Sequence, residues 1–196
     1  SFQNNLTKRQ VSLKQLASNL EWRYSPENSF ITSKLEAFTY FKTKTLNYQY
    51  NELSSLENDF KIIDISYSEG AFIAKDNLLA TFMLINLEYS IPKFVLDRDF
   101  LLSAFSEFSN YSEINLTRFP DFSKRFYLAG SNKSKIKTLF DSKLIFFFES
   151  HSYYRIESSG KEILIKGKSR VLSINEIKSL LSFSRELLSL LNNKYL

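Results

Sequence analysis

The stretch FYLAGSNKSKIKTLF, residues 126–140, has the residue order of a phosphate-binding loop: an apolar strand, a glycine, a Lys-Ser pair and a helical pattern. In such a loop, glycines at fixed positions let successive backbone N–H groups surround a phosphate, and a lysine directly follows the second glycine. Here Lys133 comes three residues after Gly130, and larger side chains occupy the two glycine positions. The sequence therefore predicts a strand that ends at Gly130 and a helix capped by Ser131 or Asn132.

Other residue types that support catalysis are sparse. His151 is the only histidine, so a histidine-based metal cluster cannot form, and no G-x-S-x-G motif accompanies it. Asp97 and Asp99 could face one way on a strand and bind a cation, but with Arg98 between them a turn or a helix cap is the simpler account. The absence of cysteine excludes thiolate metal sites and cysteine nucleophiles. We predict no catalytic residue, no metal site and no cofactor, and a non-enzymatic protein is favoured. The alternative is an enzyme with a carboxylate and tyrosine site that the sequence does not reveal.

The main candidate for binding is the basic segment 118–170. It holds twelve Lys and Arg against five Asp and Glu, a balance of +7, whereas residues 1–117 have a balance of −3 and the whole chain carries +5. Such a segment can meet phosphate or an anionic membrane surface, although a solvated face is the simpler interpretation. The residues predicted to contact an anion or a lipid are Arg118, Lys124, Arg125, Lys133, Lys135 and Lys137.

Single-stranded nucleic acid is an alternative ligand for this segment. Arg118, Arg125 and Tyr127 combine cations with a stacking ring, as single-strand binders do. The aromatic signature of RNA-recognition strands and the GxxG loop are both absent, and 19 Phe and 11 Tyr make such neighbours common by chance. An exposed stack of the three residues would favour this function, and their burial would exclude it.

Hydrophobic periodicity predicts an α+β fold with a mainly antiparallel sheet, and residues 1–196 are interpreted as a single domain. Residues 7–24 are predicted to form a helix that ends before Pro26, with its apolar face made of Val11, Leu13, Leu16, Ala17 and Leu20. Arg9 falls off that face. Strands are predicted over 38–50, 59–70, 77–90 and 92–99, with the second and third joined as a long hairpin, and a helical pattern follows at 99–108.

The last third of the chain has clearer signals. Two strand-like pieces flank a turn at Pro120, and a helix is predicted over 134–149. A hairpin closes at Gly160. Ser173 and Glu176 have capping-box spacing before a strong apolar stripe, which predicts a C-terminal helix.

Four stretches, in their order and spacing, resemble one family. They are LEWRYSP (20–26), FKIIDISYSEG (60–70), IPKFVLDRD (91–99) and RFPDFSKRFYLAGSNKSKIKTLF (118–140). The family is a group of uncharacterised bacterial proteins that pair one or two N-terminal transmembrane helices with a soluble α+β domain. The resemblance covers most of the chain from about residue 8. It implies a membrane-proximal domain whose anchor lies upstream of Ser1, and it transfers no catalytic residue.

These observations together predict a non-enzymatic binding or scaffold domain of a membrane-anchored bacterial protein. We expect it at the cytoplasmic face of a membrane, or otherwise in the cytoplasm, with a protein partner or an anionic membrane surface as its ligand. The motif at 119–125 is interpreted as structural, with its phenylalanines holding a turn in the core. Arg125 is expected to pair with a buried acid, for which Asp64 is a candidate.

Overall fold

The computed structural model of the protein describes residues 2–28, 33–70, 76–98 and 110–196. Its strands are β1 (Arg23–Asn28), β2 (Thr45–Ser54), β3 (Phe60–Glu69), β4 (Asp76–Asn86), β5 (Phe94–Asp97), β6 (Ser112–Glu113), β7 (Tyr127–Gly130), β8 (Arg155–Ser158) and β9 (Glu162–Lys166). Its helices are α1 (Phe2–Leu20), α2 (Ser33–Glu36), α3 (Thr39–Lys42), α4 (Pro120–Arg125), α5 (Lys133–Leu139), α6 (Ser142–Ser150) and α7 (Ile174–Tyr195).

The nine strands form one sheet in the order β1-β2-β3-β4-β9-β8-β5-β7-β6, and every neighbouring pair is antiparallel. The α+β prediction is therefore confirmed. Side chains alternate across a strand, so β3 contributes Ile62 to one face and Ile63 to the other. Both residues are buried, because helices α1 and α4 to α7 pack on the first face and α2 and α3 pack on the second.

Helix α1 turns a charged residue towards the sheet. Leu13, Leu16 and Ala17 are buried as predicted, but Val11 is 66% exposed and lies off the packed face. Arg9, one turn before Leu13, points inward, and its Nε and Nη2 donate to the two carboxylate oxygens of Asp64 at 2.7 and 2.8 Å. Asp64 was a candidate partner for Arg125, but Arg9 takes that place and Arg125 is exposed on α4.

The Arg9–Asp64 pair is the centre of a hydrogen-bonded network. Asp64 also accepts from Asn51 Nδ2 at 2.9 Å and from Thr81 Oγ1 at 2.7 Å. Arg9 Nη1 donates to the backbone oxygen of Leu172, and the Leu172 N–H donates to Thr81 Oγ1 at 2.9 Å. The network therefore ties α1, three strands and the segment that leads into α7.

Residues 39–42 were predicted to be extended, and they form helix α3 instead. The backbone N–H groups of Thr39 and Tyr40, at the first turn of that helix, donate to the carboxylate of Glu157 on β8. This distant carboxylate takes the place of a local N-cap, and Phe41 is buried against the sheet. A four-residue helix that depends on a residue 118 positions away leaves no local signal.

Two further predictions needed correction in the last third. The segment after Pro120 is the short helix α4 rather than a strand, with proline at a favourable first-turn position and Phe122 buried. The helix predicted over 134–149 is two helices, α5 and α6. The helical conformation is interrupted at residues 140–141. There the Asp141 side chain accepts a hydrogen bond from the Leu144 N–H at 3.0 Å and caps α6.

Two predictions of local structure are confirmed. Gly160 has φ +112° in the turn between β8 and β9. Ser173 and Glu176 form the reciprocal capping box at the start of α7. The helix predicted over 99–108 lies outside the described residues.

Candidate anion-binding surface

The turn from β7 into α5 does not surround a phosphate. Gly130 is the last residue of β7, and the Asn132 side chain accepts from the Lys135 N–H at 3.1 Å, which caps α5 as predicted. A Cβ on Gly130 would lie 2.2 Å from Cδ1 of Ile136 and 2.7 Å from the backbone oxygen of Lys93. The glycine is therefore required for the close approach of α5 to the sheet, and it positions the lysines of that helix.

Gly130→Ala should lower the free energy of unfolding by about 1–3 kcal/mol, because α5 or the Lys93 backbone must shift to admit the methyl group. Urea unfolding followed by circular dichroism would measure this. Gly167→Ala is the matched control, since its Cβ would first meet the ring of Tyr154 at 3.1 Å and no backbone atom. Equal effects of the two substitutions would show that α5 does not depend on the glycine.

Helix α5 has lysines on either side of the apolar residues that it buries in the core. Ile136 and Leu139 are buried in the core, while Lys133, Lys135 and Lys137 are exposed. Lys133 and Lys137 are four residues apart and share one side of the helix, and Lys135 is directed to another. The sequence of this helix therefore distributes its positive charge over two neighbouring surfaces.

The first groove lies between α5, the loop before α4 and the start of α6. It has a volume of about 790 Å³. Its cations are Arg118, Lys133 and Lys137, and Asp141 is the acid in its lining. Three exposed cations thus converge on one open groove, two of them from α5 and one from the preceding loop.

The second groove lies on the other side of α5 and has a volume of about 730 Å³. Its cations are Lys93, Lys135 and Lys194, which come from the loop before β5, from α5 and from the end of α7. Lys194 also forms an ion pair with Asp141. Burial opposes ionisation of Asp141, but hydrogen bonds from Lys194 and from the Leu144 N–H hold the pKa of its carboxyl group below its usual value. The two grooves together carry six cations and one carboxylate.

Four of the six residues predicted to contact an anion line these grooves: Arg118, Lys133, Lys135 and Lys137. The other two, Lys124 and Arg125, lie on α4 outside both grooves. Lys124 is 3.8 Å from Asp121, and the guanidinium of Arg125 is 5.5 Å from the centre of the Phe126 ring. Lys93 and Lys194 were missed. The sequence around each lysine does not predict its place in the second groove. Each joins Lys135 there only because the fold packs elements that are distant in the sequence against α5.

The residues of the nucleic-acid alternative do not share a groove. Arg118 lines the first groove, Arg125 is exposed on α4, and Tyr127 is half-buried in β7. This placement is neither the exposed stack that would favour single-strand binding nor the burial that would exclude it.

A second charged cluster lies on the opposite face of the sheet. Arg155 pairs with Glu157 at 3.0 Å and with Asp97 at 3.3 Å, and all three are buried. Asp97 also accepts from the Tyr153 hydroxyl, so its role is structural, and Asp99 lies outside the described residues. Carboxylates and tyrosines meet here as the enzyme alternative requires, but both acids pair with Arg155, and Glu157 also accepts hydrogen bonds from backbone N–H groups of α3.

Cations surround the Tyr40 ring in the same cluster. Lys44 Nζ, Arg155 Cζ and Lys166 Nζ lie 4.1, 4.9 and 5.4 Å from its centre. Burial raises the pKa of the Tyr40 hydroxyl, and its 2.9 Å hydrogen bond with Tyr67 adds to the shift. Burial lowers the pKa of both Lys44 and Lys166. Tyr40 therefore stays protonated at neutral pH and acts as an aromatic platform for the cations.

His151 links two helices. One ring nitrogen, Nδ1, is 2.7 Å from the backbone oxygen of Phe147 on α6, and Nε2 is 2.8 Å from the carboxylate of Glu186 on α7. The ring packs on Phe147 with centroids 4.4 Å apart. These contacts are those of a structural residue.

The described residues form a nine-stranded antiparallel α+β fold with an open basic face. In the described ranges, no group of three or more His, Cys, Asp or Glu residues could hold a metal ion. The fold is similar to that in the crystal structure of the mycobacterial trehalose monomycolate transport factor A, TtfA. The two share 10% sequence identity with a TM-score of 0.58, over 95% of this chain and 94% of that one. The likeness shows the fold alone.

No protein-family model and no curated protein matches the chain. The resemblance to a family with N-terminal transmembrane helices is therefore wrong, and the fold aligns over nearly its whole length with TtfA. None of the helices in the described part of the chain combines the length and the apolar composition needed to cross a bilayer.

Proposed function

We propose that this chain is a non-enzymatic binding domain that attaches to the phosphate groups of an anionic membrane surface through the two grooves beside α5. The observation that carries the proposal is the convergence of six cations, against one carboxylate, on two adjacent open grooves. On this proposal the domain acts at the cytoplasmic face of a membrane, because that leaflet carries a negative surface potential.

The residue types in the grooves fit a lipid surface. Five of the six cations are lysines, which act as flexible point charges, and one is arginine. Lysines tolerate the variable positions of headgroups, whereas recognition of one fixed anion favours the bidentate geometry of arginine. Contact of this kind is mainly electrostatic and weakens as salt rises.

The structural neighbour supports one part of the proposal, the non-enzymatic binding role. TtfA is described as a transport factor, and a scaffold or binding role fits that description. At 10% identity its cargo is not carried over to this chain. The membrane contact proposed here rests on the grooves alone.

The test is charge reversal of Lys133, Lys135 and Lys137 to glutamate. Each lysine near an anionic leaflet contributes roughly 1 kcal/mol, so the triple variant should bind at least about a hundredfold more weakly. Co-sedimentation with vesicles of phosphatidylcholine and phosphatidylglycerol at 7:3 would measure the change. Pure phosphatidylcholine vesicles should bind neither protein.

The matched control reverses three exposed lysines elsewhere, Lys14, Lys42 and Lys178. Both triple variants change the formal net charge from +5 to −1. A control that binds like the unmodified protein would locate the contact at α5. Equal losses in the two variants would show that net charge alone drives binding. Binding to single-stranded DNA or to an acidic polypeptide, with none to vesicles, would contradict the proposed ligand.

A further inference from the structure

An exposed phenylalanine lies next to the first basic groove, and Tyr195 in the lining of the second groove is 39% exposed. Phe146 on α6 is 71% exposed, and every other phenylalanine side chain that the structure describes is buried or half-buried. The side chains of its neighbours Phe147 and Phe148 are only 3% and 5% exposed, and they hold α6 in the core. The helix is therefore rigidly seated while this ring points to solvent.

The position of Phe146 follows from the helical repeat. Ser142 lines the first groove and lies four residues before Phe146, so the two share one side of α6 and are about 6 Å apart along its axis. Lys143, three residues before Phe146, is exposed as well. An apolar group thus stands one helical turn from a groove that carries Arg118, Lys133 and Lys137.

We infer that Phe146 is an insertion anchor that enters the boundary between headgroups and acyl chains while the neighbouring cations contact lipid phosphates. This inference rests on the proposed function and adds an apolar contribution to it. Helices that lie in a membrane interface combine basic residues with exposed aromatic or aliphatic side chains in this way. Each component strengthens the other, because attraction to the anionic surface holds the ring at the depth where it is desolvated.

The surroundings of the ring favour lipid over a protein partner. Protein interfaces concentrate their binding energy in apolar clusters that exclude water, with a polar rim around them. Phe146 is a single ring, and the residues one turn away on its side of the helix are polar: Ser142, Lys143, Glu149 and Ser150. A lipid interface accepts a single ring without a complementary pocket.

Two tryptophan variants provide a direct test. Phe146→Trp places a fluorophore at the proposed anchor, and Tyr48→Trp places one at a control position on β2 that is 64% exposed. Each is compared with the unmodified protein, whose single Trp22 stacks on Phe60. With 7:3 vesicles carrying brominated acyl chains, we expect quenching of the tryptophan at 146 and none at 48.

Phe146→Ala provides the second measurement. Loss of the ring that inserts into the lipid should weaken binding to the same vesicles about tenfold, with the dependence on salt unchanged. The unfolding midpoint should not move, because the ring is exposed. Reversal of the α5 lysines, by contrast, should weaken the dependence of binding on salt, because it changes three of the six groove cations.

The outcomes separate the anchor from the proposed function. If the protein binds anionic vesicles but the tryptophan at 146 is not quenched and Phe146→Ala binds normally, the anchor is wrong and the electrostatic contact stands. If the unmodified protein binds no vesicle, both are wrong. Capture of polyglutamate instead, weakened by Phe146→Ala, would mean that the ring serves a protein partner.

Discussion

Asp64→Asn should lower the free energy of unfolding by about 3–5 kcal/mol, the range for breaking one side of a buried ion pair. The carboxylate side chain is 2% exposed and that of Arg9 is 15% exposed. The amide has the shape of the carboxylate but not its charge, so Arg9 keeps its cost of burial without the compensating anion. Asn51 and Thr81 also lose part of the acceptor that orders them.

Urea unfolding of Asp64→Asn, Arg9→Met and the double variant would give the coupling energy of the pair. We expect the double variant to be more stable than the sum of the single changes implies, because removal of both charges leaves no isolated ion. Lys61→Met is the control on the same strand. Its 3.3 Å pair with Glu52 is more exposed and should be worth less than about 1 kcal/mol. An Asp64→Asn effect as small as that of the control would contradict the central role of the network.

Glu157→Leu is expected to destabilise the protein by about 3 kcal/mol and to release α3 locally. The leucine keeps most of the side-chain volume but accepts no hydrogen bond, so the N–H groups of Thr39 and Tyr40 lose their acceptor in a buried site. Arg155 loses an acid partner at 3.0 Å at the same time. The cation cluster around Tyr40 then becomes more positive.

Hydrogen exchange gives this second prediction a local measurement. The amides of Thr39 and Tyr40 should exchange much faster in Glu157→Leu, while amides in the central strand β3 should change only as far as global stability does. Glu162→Leu, on the other strand of the same hairpin, is the control. Its partner Lys34 is 66% exposed, so its loss should cost less than about 1 kcal/mol. Unchanged protection at 39 and 40 would show that α3 does not depend on Glu157.

Much of the candidate surface could be predicted from the sequence because its central element is local. The basic segment, the strand that ends at Gly130 and the Asn132 cap all follow from residue types a few positions apart. The basic segment predicts four cations that line the grooves: Arg118, Lys133, Lys135 and Lys137. It does not predict the contributions of Lys93 and Lys194, since these come from elements about 40 and 60 residues away from α5.

The exposure of Phe146 to solvent also became known only from the structure. Its segment is a run of apolar residues, LIFFF, in which periodicity alone does not show which ring faces outward. The break at residues 140–141 sets the rotation of α6, because Asp141 caps the new helix there. Packing of Phe147 and Phe148 then leaves Phe146 in solvent.

The sequence by itself determined the α+β class, the central strands, the β8–β9 hairpin and the capped C-terminal helix. These depend on interactions between near neighbours: alternation in a strand, φ at Gly160 and the reciprocal bonds of Ser173 and Glu176. Only the tertiary structure decided the charged pairs and the short helices. Arg9 meets Asp64 across 55 positions, and Glu157 caps α3 from a strand 118 positions later. A buried charge takes as its partner whatever the fold brings within about 3 Å, and spacing along the chain does not encode that distance.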